Sequence, residues 1–244
     1  MLLLEEGESG KLIPRADRRW EHVKKILKKR PGDRLSAGLA DGPLGEAFVR
    51  SLDDRGLVLD FEAFDGAAGD PPALAPLVLV LGFPRPIQAA RILRELTSLG
   101  LSEIHLTGTE LGEKSYIESS IFKDGDFRRP LIEGAEQAGN PRLPKVFRHW
   151  SLRLCLEALG PPTGSRLFLH PYGGCGSLGI VVRNGNLRPP VTLAVGSERG
   201  WTGSELGALG SAGFDCWSLG ARILKTETAA SAACVLTLAG LGLL

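Results

Sequence analysis

The sequence predicts an α/β protein of two domains, a small antiparallel β domain over residues 1–68 and a larger domain with a parallel sheet over residues 74–244. Between Arg34 and Phe64, short apolar runs are broken by Asp41-Gly42, Asp53-Asp54 and Arg55-Gly56, which are turn signals at hairpin spacing. Between Gly66 and Pro76 lies a stretch with Asp70-Pro71-Pro72 and no periodic pattern, as expected of a linker. Beyond it, continuous apolar runs alternate with amphipathic stretches, the pattern of strands buried on both faces beneath crossover helices. A chain of 244 residues is long enough for each domain to bury a core.

The first predicted element is a helix over Trp20 to Lys29, with Trp20, Val23, Ile26 and Leu27 on one face, lysines on the other, and Pro31-Gly32-Asp33 as its stop. Charge is concentrated there. Lys11, Arg15, Arg18, Arg19, Lys24, Lys25, Lys28, Lys29, Arg30 and Arg34 face only Asp17, Glu21 and Asp33, although the whole chain carries a net charge of +1. Such a stretch is suited to phosphates, whose neutralisation releases counterions; the alternative is a solvated helix face.

In the second domain, Leu77 to Leu81 reads as a buried strand, Ile87 to Leu99 as an amphipathic helix and Ile104 to Leu106 as a further strand. Lys123 to Glu136 reads as another helix and Arg166 to His170 as another strand, with about five strands expected in all. Two segments near the C-terminus carry the most information. Leu193-Ala-Val-Gly-Ser-Glu-Arg-Gly-Trp-Thr-Gly-Ser-Glu205 joins a buried strand, Val191 to Val195, to a glycine turn. The spacing of Thr202 and Glu205 is that of a capping box, so a helix starts there. Leu219-Gly-Ala-Arg-Ile-Leu-Lys-Thr-Glu-Thr-Ala-Ala230 repeats the arrangement after a strand over Cys216 to Leu219, and opens an Ala-rich helix. Two such turns could wall one pocket.

Together these segments resemble the two signatures of the ribosomal RNA small subunit methyltransferase E family, of the SPOUT superfamily. Family members usually read Ile-Gly-Pro-Glu-Gly-Gly-Phe-Ser-x-x-Glu and Leu-Gly-x-Arg-Ile-Leu-Arg-Thr-Glu-Thr-Ala. This chain has Ser197 for the proline, Arg199 for the first glycine of the pair and Lys225 for the second arginine. A positive φ at residue 199 would be strained in any residue but glycine. Phe83-Pro84-Arg85, Ser98-Leu99-Gly100-Leu101 and Glu133 to Pro144 are similar to further family elements, with Asn140 where arginine is usual and Arg142 nearby. More loosely, Gly32-Asp33 and Asp41-Gly42 resemble turns of the family's N-terminal barrel.

The resemblance implies a SPOUT α/β trefoil-knot domain preceded by a small PUA-like β-barrel that binds RNA. It implies methylation of uridine N3 in 16S rRNA with S-adenosyl-L-methionine as cofactor, on the small ribosomal subunit or its rRNA, by a cytoplasmic homodimer. The cofactor would be held by Leu169, His170, Val195, Gly196, Ser197, Glu198, Gly200, Ser218, Leu219, Gly220, Ile223, Leu224 and Thr226. N3 of uracil must lose a proton, so a cation or a base is required. Arg222 and Lys225 are candidates for the cation. Glu198, Glu227 and His170 are candidates for the base, the glutamates being equally able to orient loops. RNA would meet Arg18, Arg19, Lys24, Lys25, Lys28, Lys29, Arg30 and Arg142.

Two rival readings follow from the residues. Gly174-Cys-Gly-Ser-Leu-Gly179 matches a dinucleotide fingerprint, with Glu198 at a fitting offset, but the fingerprint needs a helix opening at its last glycine. The β-branched run to Asn184-Gly185 and Pro189-Pro190 predicts none of useful length. The other rival is an RNA-binding homologue that kept the fold and lost the chemistry, to which Arg199 and Asn140 give substance. Cys155, Cys175, Cys216 and Cys234 show no C-x-x-C spacing and read as reduced thiols; with His22, His105, His149 and His170 equally scattered, neither a disulfide nor a metal is expected. Met1 to Leu4 precedes Glu5 and Glu6, unlike a signal peptide. Ala229 to Leu244 falls short of the roughly 20 apolar residues that span a bilayer, so it reads as a buried helix and no membrane association is expected.

Overall fold

The computed structural model describes residues 1–123, 127–172 and 176–244. The chain divides into two compact units, one of Met1–Ala73 with Ala135–Leu143 and one of Leu74–Gly134 with Pro144–Leu244.

The first unit holds β1 (Leu2–Leu4), β2 (Leu12–Pro14), α1 (Arg18–Glu21), β3 (Arg34–Leu39), β4 (Leu44–Leu52) and β5 (Gly56–Ala63). Its curled sheet runs β1-β3-β4-β5-β2, antiparallel except where β1 joins β3 in parallel. Leu35, Ala37, Ala47, Val49, Leu57 and Leu59 alternate inward and close on Leu2, Leu4, Ile13, Trp20 and Val23. The expected helix over Trp20 to Lys29 is shorter and departs from α-helical register: α1 passes into a π-helical turn, His22–Ile26, and Lys28 has φ 52°. The chain must reverse there to deliver β3, and a left-handed residue does so in one step. Ala135–Leu143 groups with this unit through Glu136, which accepts hydrogen bonds from Leu3 N at 2.9 Å and Arg18 Nη2 at 2.6 Å.

The second unit contains β6 (Ala75–Gly82), α2 (Pro86–Ser98), β7 (Leu101–Thr107), α3 (Ser120–Lys123), α4 (Arg128–Ala138, ending in the first unit), β8 (Lys145–His149), α5 (Leu152–Leu159), β9 (Arg166–Leu169), β10 (Gly176–Ser177), α6 (Leu178–Arg183), β11 (Val191–Val195), α7 (Gly203–Ser211), β12 (Asp215–Ser218) and α8 (Thr226–Gly240). The sheet has seven strands in the order β10-β12-β9-β11-β6-β7-β8, and each pairing is parallel. That is two more strands than expected, at opposite edges, where β8 is half-exposed and β10 is two residues long. Val80, Phe168 and Ala194 meet Leu152 and Cys155 of α5, Leu209 of α7, and Trp201. α8 buries Ala230, Ala233, Cys234 and Leu238 and packs with α2 and α6.

Two expectations are corrected. A helix does form in the fingerprint region: α6 starts at Leu178, because burial of Leu178 and Val181 overrides β-branched propensity over one and a half turns. Gly174 and Cys175 lie outside the described residues. Cys155 and Cys234 are free buried thiols, but Cys216 is disulfide-bonded; sequence spacing does not report which sulfurs a fold brings together. Among the described residues no helix is long and apolar enough to cross a membrane.

Candidate active site

In a parallel sheet, a crevice opens outside the carboxyl ends of the strands where successive connections leave to opposite sides. Here β11 lies on one side of β9 and β12, next in the chain among the long strands, lies on the other. The turns after all three strands wall a cavity of about 300 Å³. Leu169, His170, Pro171 and Tyr172 come from β9 and its turn, Val195 to Trp201 from the β11 turn, and Leu219, Gly220, Arg222, Ile223 and Leu224 from the β12 turn; Thr226 and Ala229 of α8 complete it.

The β11 turn owes its shape to close backbone approach. A Cβ on Gly196 would meet the backbone of Gly200 at 2.9 Å, and one on Gly82 would meet Ser197 N at 2.4 Å. Gly200, at φ 74°, donates from its N–H to Ser197 O at 2.9 Å. The positive φ thus falls on Gly200 and not on Arg199, so a side chain at residue 199 meets no backbone strain.

Neighbouring loops tie this turn down. Thr109 Oγ1 donates to Ser197 Oγ at 3.0 Å, and Arg85 N donates to Glu198 Oε1 at 3.0 Å. The predicted capping box is formed: Glu205 N donates to Thr202 Oγ1, and Thr202 N to Glu205 Oε2 at 2.9 Å. Glu205, 4% exposed, also accepts from Glu110 N at 2.9 Å, and Thr202 Oγ1 donates to Glu110 Oε2 at 2.7 Å. A buried carboxylate is tolerated there because backbone N–H groups satisfy it.

Of the residues expected to hold a cofactor, Leu169, His170, Val195, Gly196, Ser197, Glu198, Gly200, Leu219, Gly220, Ile223, Leu224 and Thr226 all line the cavity. Ser218 does not; its hydroxyl donates to Gly176 O at 3.3 Å. Arg222 lines the cavity, whereas Lys225 is the residue preceding α8 and lies outside the lining, as does Glu227. Glu198 reaches the wall with one carboxylate oxygen engaged by Arg85 N, a loop-orienting contact. Arg199, Trp201 and Ala229, which lie within the two signature segments, also line it, as do Pro171 and Tyr172, which no motif marks in sequence.

The walls fit a nucleoside-bearing cofactor. Ile223 is 70% exposed and Leu224 38%, large apolar groups left facing a cavity, and Gly220, at φ 112°, has open space where a side chain would stand. Trp201, 5% exposed, has an indole N–H without a partner among the described residues.

In the basic stretch, Arg19 is 13% exposed along its side chain and bound to Glu8 at 2.6 Å and Asp17 at 2.8 Å. Burial opposes the charges on Glu8 and Asp17, but hydrogen bonds and the charge of Arg19 outweigh it and hold both carboxyls below their ordinary range. Arg18 is paired with Glu136. Both arginines expected to meet RNA are thus engaged by carboxylates of their own unit. Lys24 lies 4.5 Å above the Trp20 ring and 3.8 Å from Asp54, and Lys25 pairs with Glu21 at the surface. Lys28, Arg30 and Arg142 are exposed and Lys29 half-exposed. Arg142 Nε donates to Pro71 O at 3.2 Å, beside Asn140, whose amide donates to Pro72 O at 3.0 Å.

A family model for the RNA methyltransferase domain matches residues 71–238. The chain is 41% identical over 227 residues to ribosomal RNA small subunit methyltransferase E of Treponema pallidum, covering 91% of this chain and 83% of that protein. It is 32% identical over 238 residues to ribosomal RNA small subunit methyltransferase E 1 of Borreliella burgdorferi, covering 97% and 96%. The crystal structure of a ribosomal RNA small subunit methyltransferase E from Neisseria gonorrhoeae bound to S-adenosyl methionine superposes with a TM-score of 0.74 at 22% identity, covering 98% of this chain and 96% of that one. That likeness carries the fold, an α/β domain built on a parallel sheet and preceded in sequence by a small barrel-like unit with a curled, mixed sheet. The chain belongs to the ribosomal RNA small subunit methyltransferase E family of RNA methyltransferases.

Proposed function

We propose that this enzyme transfers a methyl group from S-adenosylmethionine to N3 of a uridine in 16S rRNA, working as a cytoplasmic homodimer. The observation that carries the reading is the cavity walled by the β9, β11 and β12 turns in a chain of this family. S-adenosylmethionine supplies a methyl group already activated on a sulfonium, so no protein nucleophile is needed.

The chain's own residues bind, orient and stabilise. Backbone groups at Gly196, Leu219 and Gly220 hold the nucleoside, and Leu169, Val195, Ile223 and Leu224 cover its apolar surface. Residues that hold donor and acceptor together in one site would supply much of the rate. Arg222, exposed on the cavity wall, stabilises the ring anion left when N3 loses its proton. His170, which lines the same cavity and whose ring lies 5.6 Å from that of Tyr172, takes that proton. Lys225, outside the lining, acts on the RNA approaching the mouth rather than on the reacting atom. N3 lies on the pairing edge, so the uridine must be unpaired or flipped out. Lys28, Lys29, Arg30 and Arg142 hold the surrounding RNA through its phosphates.

Calorimetric titration with S-adenosylmethionine tests the cofactor site. The wild-type chain binds, and Gly196→Val, whose side chain collides with Gly200, loses at least about tenfold in affinity, or roughly 1.4 kcal/mol. A folded wild-type protein that takes up no cofactor would overturn the reading in favour of an RNA-binding protein without the chemistry.

A further inference from the structure

Away from the cavity, the sheet assembles a set of side chains that no sequence spacing announces. β7 and β8 pair in parallel with His105 opposite Phe147 and Thr107 opposite His149, so His105 and His149 share one face of the sheet. Helix α5, opened by Ser151, whose side chain accepts from Leu154 N, covers that face and brings Cys155 down onto it. His105 Nδ1 and His149 Nε2 are 3.0 Å apart, and the metal-binding atoms of His105, His149 and Cys155 all lie within 4.8 Å of one another. On its far side, His105 Nε2 is 3.2 Å from Glu103 Oε2, and Phe147 stacks on the ring at 4.6 Å.

We propose that His105, His149 and Cys155 form a binding site for a borderline divalent transition metal of the Zn²⁺ class. Two imidazoles and a thiolate with one position left open are a zinc donor set, and Glu103 supplies the carboxylate that fixes a ligating imidazole through its other nitrogen. With Glu103 accepting from His105 Nε2–H, His105 Nδ1 presents a lone pair. His149 Nε2–H is then the donor between the rings. The metal takes the place of that shared hydrogen: His149 moves its proton to Nδ1, and Cys155 releases its thiol proton to solvent. Burial pushes the Cys155 thiol up to about 12, so without metal it is an inert hydrophobe and not a nucleophile. Entry is from the side of His149, which is half-exposed and lines an open groove of about 630 Å³ with Ile117, Glu118 and Trp150.

The site has a consequence for the cavity. His149 O accepts from Gly108 N at 2.9 Å, and the next two residues, Thr109 and Glu110, are those that hold the β11 turn. A metal here braces the loop on which the cofactor turn leans.

The test uses the full-length protein, stripped with a chelator under anaerobic conditions and titrated with Co²⁺. Visible d–d bands and a near-ultraviolet thiolate-to-cobalt charge-transfer band are expected, saturating at about one equivalent per chain and displaced by Zn²⁺. Cys155→Ser removes the charge-transfer band. Glu103→Gln, an isosteric change at a half-exposed position, weakens binding about tenfold to a hundredfold while keeping the band. Circular dichroism confirms that each variant is folded. A folded wild-type chain without the thiolate band, or a band that survives in Cys155→Ser, would overturn the proposal.

Discussion

Arg19 shows how one residue can look functional in sequence and be structural in space. Its guanidinium is shared between Glu8 and Asp17 beneath the first sheet, and both carboxyls ionise more readily than free ones, whose ordinary values are 4.5 and 3.8. Their stabilisation is complete above those values and is lost as pH falls through the lower values of the folded state. Hydrogen exchange of β3 and β4 amides should therefore speed up as pH drops below about 4, after correction for intrinsic rates. Arg19→Met should cost about 3 kcal/mol at pH 7, since it leaves two half-buried carboxylates unpaired, and most of the acid dependence should vanish with it. An unchanged acid profile in the variant would contradict the assignment. Two departures from the family pattern find partners at this scale: Ser197 takes a hydrogen bond from Thr109, and Asn140 donates one to Pro72. Nothing around Arg199 explains why it replaces glycine.

Among the elements, those whose burial is written in their own periodicity were legible in advance. Val191–Val195 agrees at both ends, α2 and β6 to within two residues at each end, and the Thr202 cap where its spacing put it. The missed strands share a cause. β8 is an edge strand with a largely exposed pattern, β10 is two residues long, and β1 and β2 are three-residue strands that exist only because the neighbouring strands offer backbone partners. The basic segment is the functional case. Its helical part spends Arg18 and Arg19 on acids of its own unit, whereas Lys28, Lys29 and Arg30, where the helix ends, are exposed or half-exposed. Reversing these three to Glu should weaken RNA binding and lower the slope of log affinity against log salt by about 0.7 for each phosphate no longer neutralised, with cofactor affinity unchanged. A fall in both affinities would point to misfolding instead.

At the scale of the whole chain, the cavity exists because strand order and chain order disagree. Sequence supplied the two glycine turns, and the resemblance joined them. That a third turn, after β9, completes the wall follows from β9 lying between β11 and β12, which no local pattern encodes. The same holds for His105, His149 and Cys155, scattered along the chain and gathered by the register of β7 on β8 and by α5 packing over them. Ala135–Leu143 joins the first unit although nothing in its composition separates it from α4. Methyl transfer to a pairing edge is open to a decisive assay: incubation with labelled S-adenosylmethionine and small ribosomal subunits from cells lacking this protein, followed by reverse transcription across the rRNA. N3 methylation blocks base pairing, so stoichiometric label with one new stop at a uridine is the expected outcome. Absence of label from a folded, cofactor-binding enzyme, or label without a stop, would refute methylation at N3.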